Sequence, residues 1–263
     1  MISDLDESVL LKKQEMSEFN KMAYNHSATL GSVNKPESLG PINSFLHYFA
    51  LSECVKTLGS PKGKKICVLC GGAGMEAEYL SRLGATVVSF DISVGQIKLA
   101  LIRKKTHNLE DVEFVVADIE HIPIASKGVD ITFVYDGLCH VPQPYLRAIS
   151  EMARISRKSI IVFDSYDAAI TQLAMRLGLV ERLEYGRLNV FRWKRKLLFK
   201  SYAKQGFLVT KFRRLLWTII YRFVTINSRV PTMVFRFTFL FVNTVLGHLL
   251  GNRFIIVARR VEW

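Results

Sequence analysis

Ile66-Cys67-Val68-Leu69-Cys70-Gly71-Gly72-Ala73-Gly74-Met75-Glu76 is the stretch on which the fold reading turns. An apolar run enters a cluster of glycines and leaves as a helix. Glycine supplies left-handed dihedrals and lets a backbone come close to a ligand. The N–H groups at the start of the following helix then face whatever lies in front of it, and they suit a carboxylate or phosphate. A glycine turn alone is weak evidence, so the weight falls on its surroundings.

Outward from this turn, strands and helices alternate. Lys65–Cys70 reads as a strand, Met75–Leu83 as a helix, Thr86–Phe90 as a strand ending in Asp91, and Val94–Lys105 as a helix. Val112–Ala117 is a strand ending in Asp118, Val129–Tyr135 a strand ending in Asp136, Pro144–Ile155 a helix, and Ser159–Phe163 a strand ending in Asp164. This alternation predicts an α/β fold, a Rossmann-like doubly wound sheet. The continuous apolar character of the strands suits a sheet covered on both faces. Acids at the carboxyl ends of successive parallel strands lie where such sheets bind ligands. Asp91, on the strand after the glycine turn, is placed to accept from two ribose hydroxyls. Asp118, with apolar Ile119 beside it, is placed to accept from an adenine amino group. Together they predict an adenosine-containing cofactor without a 2′-phosphate.

With these residues in view, the chain resembles the class I S-adenosylmethionine-dependent methyltransferases, and within them the small-molecule, methyltransferase type 11 group. Gly71-Gly72-Ala73-Gly74 resembles the family's first motif, Val88-Ser89-Phe90-Asp91-Ile92-Ser93 its ribose-binding strand end, and Val116-Ala117-Asp118-Ile119 its adenine-binding one. The segment Val129 to Pro142, with Asp136 and His140, resembles its fourth motif. Gly206–Phe212 and Phe254–Arg260 resemble its antiparallel sixth and seventh strands. The resemblance implies S-adenosyl-L-methionine held by Gly71, Gly72, Gly74, Asp91, Ile92, Asp118, Ile119 and Asp136. It also implies an antiparallel last strand on a mostly parallel sheet. One departure stands out: Val68 occupies the position of the family's usual acid and Cys70 that of its first glycine.

Methyl transfer needs alignment and exclusion of water, and a base when a hydroxyl or protonated amine is the nucleophile. The candidates are His140, just after the fourth strand, and His26 in Tyr24-Asn25-His26, within a segment expected to fold over the site. Tyr135-Asp136-Gly137 does not resemble the motif of enzymes that methylate amino groups in nucleic acid, which disfavours a nucleic-acid partner. Cys67-x-x-Cys70 lies on a buried strand with no second pair to complete a zinc site, so it reads as packing and no metal is expected. Two rivals share the fold: a non-catalytic scaffold, and a cyclase that keeps the cofactor.

The chain has 263 residues, 49% of them hydrophobic, and a net charge of +13. Disorder is excluded. Four cysteines and an acidic start, MISDLDESVL, favour a reducing cytoplasm and argue against a secretory signal. The charge is uneven: residues 1–150 hold 15 basic and 17 acidic side chains, residues 151–263 hold 21 and 6. The expected organisation is an N-terminal helical cap (1–60), a cofactor-binding core (61–212), an apolar and basic helical insertion (213–253), and a last core strand (254–263). Phe235, Phe237, Phe239 and Phe241 alternate as in a strand, yet the surrounding length favours a helix. Basic residues among aromatics suit an anionic membrane interface. A lid over an apolar small-molecule substrate and a homodimer interface are the alternatives. A bilayer span is disfavoured by the strand that follows at Phe254.

Overall fold

The computed structural model describes residues 2–27, 41–141, 146–178, 183–184, 188–189, 191–217 and 232–261. Two helices lead, α1 (Ile2–Ser27) and α2 (Pro41–Leu58). The core follows as β1 (Lys65–Leu69), α3 (Met75–Arg82), β2 (Thr86–Asp91), α4 (Val94–Thr106), β3 (Val112–Val116), β4 (Val129–Tyr135), α5 (Leu146–Ile155) and β5 (Ser156–Ser165). Next come α6 (Ala169–Arg176), the two-residue strands β6 (Leu183–Glu184) and β7 (Leu188–Asn189), α7 (Arg195–Ala203), β8 (Phe207–Leu215), α8 (Thr232–Leu250) and β9 (Arg253–Arg260).

Seven strands form one sheet in the order β3-β2-β1-β4-β5-β9-β8. The five strands from β3 to β5 are parallel, and β9 runs antiparallel to both β5 and β8. The expected doubly wound sheet with an antiparallel last strand is therefore the observed one. Order reverses between β1 and β4, the switch point at which such sheets open a crevice. Alternate side chains of β1 separate two apolar layers, because successive residues of a strand face opposite sides. Cys67 and Leu69 pack with α5 and α7 on one face, while Ile66 and Val68 pack with α2, α3 and α4 on the other. Val68, at the position of the family's acid, is thus a core side chain.

Most element limits fall within two residues of those read from the sequence. The larger differences lie at the ends. Within the expected helical cap α1 runs from Ile2 to Ser27, and β5 begins at Ser156 rather than Ser159. Arg213–Leu215 continue β8, extended by pairing with β9, so the insertion starts after them. Residues 218–231 of the expected helical insertion lie outside the described residues. The Phe-alternating segment is helical. Phe235 and Phe239 are 2% and 0% exposed while Phe237 and Phe241 are 64% and 70% exposed; four-residue steps keep each pair on its own face. Asn243 pins α8 to the end of β8: its Oδ1 accepts from Leu216 N–H at 2.8 Å and its Nδ2 donates to the Leu216 and Phe239 carbonyls.

Candidate active site

The glycine turn lies at the carboxyl edge, between β1 and α3. Gly72 and Gly74 have φ of +49° and +84°, a region that costs other residues about 1–2 kcal/mol. Each glycine is required for its own reason. A Cβ on Gly71 would sit 2.1 Å from Ser89 Oγ, and one on Gly74 would overlap the Phe114 ring at 2.7 Å. A Cβ on Gly72 would meet only Gln96 Oε1, at 3.8 Å, so the space above Gly72 is open to a ligand. Cys70, at the family's first glycine position, also adopts positive φ, +54°. A non-glycine residue carries the same backbone there.

Gly137, just after β4, faces Cys70. A Cβ at position 137 would lie 2.4 Å from Cys70 Cβ and 3.1 Å from its Sγ. Gly137→Ala should therefore cost about 1–3 kcal/mol by over-packing. In a Cys70→Gly background the clashing atoms are gone and most of that cost should vanish. A double-mutant cycle from urea unfolding measures the coupling, and additive effects would show that the two sites do not press on each other.

Asp91 ends β2 with both oxygens turned to the turn and the helix start. Oδ2 accepts from Gly72 N–H at 2.9 Å and Oδ1 from Ser93 N–H at 2.8 Å. Burial raises its pKa, and those two bonds oppose the rise. A carboxylate has about four acceptor positions, so two remain for ribose hydroxyls. The neighbouring Ile92 is half-buried. Asp118 follows β3; its Oδ1 accepts from Glu120 N–H at 2.9 Å, and its Oδ2 from Lys12 Nζ at 2.7 Å. Ile119 beside it is buried. Lys12 also bonds Glu120.

Lys12 comes from α1, which lies along this edge. Asn20 Oδ1 accepts from Ser93 Oγ and Gly95 N–H, both at 2.8 Å, so α1 itself satisfies part of the N-terminus of α4. Gly95 permits the approach, since a Cβ there would lie 2.9 Å from Ala23 Cβ. Glu15 Oε2 lies 3.7 Å from His140 Nδ1, and Phe19 meets the His140 ring edge-on at 5.6 Å. His140, in a short 3₁₀ turn at Leu138–His140, is thus enclosed beneath the cap helix. His26 is in α1, and its side chain lies outside the described residues. The structure therefore brings Gly71, Gly72, Gly74, Asp91, Ile92, Asp118 and Ile119 to one edge and sets His140 under its cover.

Asp136 stands apart from a purely ligand-facing role. It has φ of +50° and pairs with Arg253, the first residue of β9. Arg253 Nη1 also donates to Ser165 Oγ at 2.8 Å. Asp136, Cys139 and Asp164 place metal-ligating atoms within 4.8 Å of one another, but protein donors already serve them: Arg253 on Asp136, and the N–H groups of Cys139 and Ser165 on Asp164. Burial and the neighbouring Asp136 push Asp164 up to about 6. Burial also raises the Cys67 thiol, and burial with the surrounding carboxylates raises Cys70 as well. These thiols are held protonated, as packing residues rather than redox ones.

Sequence reading missed a second group at the same edge. His47 on α2 points its Nε2 at Glu76 Oε1, 3.6 Å away, on the first turn of α3. Its ring meets Tyr135, the last residue of β4, at 5.0 Å. Burial and Arg103 lower His47 to about 4, and burial raises Glu76 to about 7. No local motif marks His47; only the packing of α2 across the sheet brings it there.

Residues 66–163 match the family model described as a methyltransferase domain. Curated relatives include a demethylmenaquinone methyltransferase of Renibacterium salmoninarum, 27% identical over 103 residues, covering 39% of this chain and 41% of that protein. A ubiquinone biosynthesis O-methyltransferase of Psychrobacter cryohalolentis is 28% identical over 159 residues, covering 55% and 60%. Thus the matched stretches span less than two thirds of those relatives. Among solved structures, magnesium protoporphyrin IX methyltransferase from Synechocystis PCC 6803 with bound S-adenosylhomocysteine superposes with a TM-score of 0.66 at 15% identity, over 95% of this chain and 100% of that one. With a glycine turn open above Gly72 and an acid at each of the next two strand ends, the chain has the fold of the class I S-adenosylmethionine-dependent methyltransferases, and its residues 66–163 are the part that matches a methyltransferase domain.

Proposed function

We propose that this protein transfers a methyl group from S-adenosylmethionine to a small, apolar acceptor. One observation carries the reading: open space above left-handed Gly72, whose N–H is held by Asp91 at the end of β2, with Asp118 and Ile119 following the adjacent strand β3. When bound, the cofactor supplies a methyl group already activated by a positively charged sulfur. The crevice suits that charge, because Asp91, Asp164, Asp118 and Glu15 all act on Cys70 at its floor. Gly72 gives backbone access, Asp91 holds the ribose, and Asp118 with Ile119 takes the adenine once Lys12 yields its place. Gly71 and Gly74 keep the turn's shape, and Asp136 orders the β4 end through Arg253. The α1 helix, resting on Ser93, Gly95 and His140, excludes water. Relatives named for demethylmenaquinone and ubiquinone methylation favour a lipophilic ring as acceptor. Isothermal titration of the folded protein with S-adenosylhomocysteine tests the reading; absence of binding refutes it.

The charged, apolar C-terminal third adds a membrane-peripheral setting on the cytoplasmic side. Among the described residues, Met233–Leu250 is a helix long and apolar enough to cross a membrane, and 22% of it is buried in the protein. A span conflicts with the docking of Phe235, Phe239 and Asn243 and with β9 beginning at Arg253. Met233, Phe237, Phe241 and Leu249 instead form an exposed apolar face. Arg236 on the same helix and Arg214 beside it stand over Phe45 and Tyr166. That composition fits insertion into an anionic leaflet. The protein should float with vesicles containing phosphatidylserine. Phe237→Ser with Phe241→Ser should leave it in the soluble fraction, because each large apolar side chain contributes roughly 1.5–3 kcal/mol of burial. Equal flotation of the double variant, or a lipid-free dimer that covers α8, would assign the face elsewhere.

A further inference from the structure

We propose that His47 and Glu76 form a proton-accepting pair for an aromatic hydroxyl acceptor, an inference that rests on the methyltransferase reading. The geometry points to a third group between them. His47 Nε2 and Glu76 Oε1 are 3.6 Å apart, too far for a hydrogen bond. Nε2 is buried without a hydrogen-bond partner, a condition that native structures rarely leave without a reason. A hydroxyl oxygen can sit within hydrogen-bond distance of both atoms.

The surrounding surface selects a flat ring. Tyr135 lies against His47 and stacks on Phe163 at 4.7 Å, and Trp217 meets the far side of Phe163 at 5.4 Å. Along α2 the aromatic wall continues through Phe45 and Phe49 to Phe239 of α8. Glu76 follows the glycine turn by two residues, which places the pair beside that turn, and the ring wall runs from it to α8.

In the reaction the acceptor's O–H bond breaks and its proton passes to the Glu76 carboxylate, the stronger base of the pair, while His47 Nε2 hydrogen-bonds the hydroxyl and orients it. The oxygen forms the new bond to the methyl carbon, and the carbon–sulfur electron pair stays on sulfur as a neutral thioether. Glu76 then releases the proton to solvent. The charged and titratable groups facing the pair are Arg103 from α4, Asp136 and Tyr135 at the end of β4, and Asp91 at the end of β2. Arg103 disfavours an imidazolium and favours a carboxylate. Asp136 and Asp91 favour the protonated acid. The pair therefore shares one proton near neutrality and titrates as a unit.

The test is ¹⁵N NMR of the histidine rings in the full chain, with His47 assigned by loss of its signals in His47→Gln. We expect the ring to stay neutral down to about pH 4 and to show an inflection near pH 7 that disappears in Glu76→Gln. Its nitrogen shifts should move when 1-naphthol is added to protein saturated with S-adenosylhomocysteine, and move at least threefold less in Glu76→Gln. A His47 that titrates as an ordinary solvent-exposed imidazole overturns the pair. Shifts that ignore 1-naphthol overturn its role toward an aromatic hydroxyl. Calorimetry on the same samples separates the two levels of the argument: wild-type protein that fails to bind S-adenosylhomocysteine overturns the methyltransferase reading beneath it.

Discussion

Replacing Asp91 with alanine should weaken binding of S-adenosylhomocysteine by about a hundredfold. Two ribose hydroxyls on a carboxylate form charge-assisted hydrogen bonds, each worth about 1.5 kcal/mol or more, and 1.4 kcal/mol is tenfold in affinity. The same side chain accepts from Gly72 and Ser93 N–H, so the variant should also lose some thermal stability as the turn loosens. Asp91→Asn separates the two effects. Its amide oxygen can serve one of the backbone donors, and its affinity should fall between those of wild type and alanine. Calorimetry with a melting curve on each variant checks both. Unchanged affinity in the alanine variant would mean that the nucleoside does not rest on β2.

Glu76→Gln should raise stability at pH 8 and leave it nearly unchanged at pH 4. The carboxyl has a pKa of 4.5 in the unfolded chain and about 7 in the folded one, raised first by burial. A raised folded pKa means that the folded state holds the proton more tightly. The stability from this group is complete below pH 4.5 and is lost as pH rises toward 7. Above that, wild type carries a buried charge that glutamine lacks. At 1.36 kcal/mol per pKa unit the difference is on the order of 3 kcal/mol at most. His47 works in the opposite direction: lowered from 6.5 to about 4, it removes stability as pH falls through that interval. The wild-type melting temperature should therefore decline on both sides of a mildly acidic maximum, and Glu76→Gln should flatten the alkaline side alone. Urea unfolding from pH 4 to 8 decides it. Equal pH profiles for the two proteins would place the Glu76 carboxyl in water.

Much of this was legible because it is local. A strand needs a short apolar run, and a tight turn into a helix needs residues that tolerate positive φ, so Ile66 to Glu76 reads directly. Asp91 and Asp118 could be placed because a residue at the carboxyl end of a parallel strand has its location set by the sheet. Even the Phe-alternating segment resolved correctly as a helix. Its two faces could not be assigned in advance, because the choice depends on what α2 and β8 present to it.

The sequence by itself determined the alternation of elements, the glycine turn, the acids at the strand ends and the split of charge along the chain. Each follows from backbone preference or from short-range periodicity. Tertiary structure alone decided that Lys12 lies on Asp118, that Arg253 claims Asp136, and that His47 faces Glu76. Those pairs join residues about 30 to 120 positions apart. Their geometry is fixed by how α1, α2 and β9 pack against a common sheet, and no local preference encodes it.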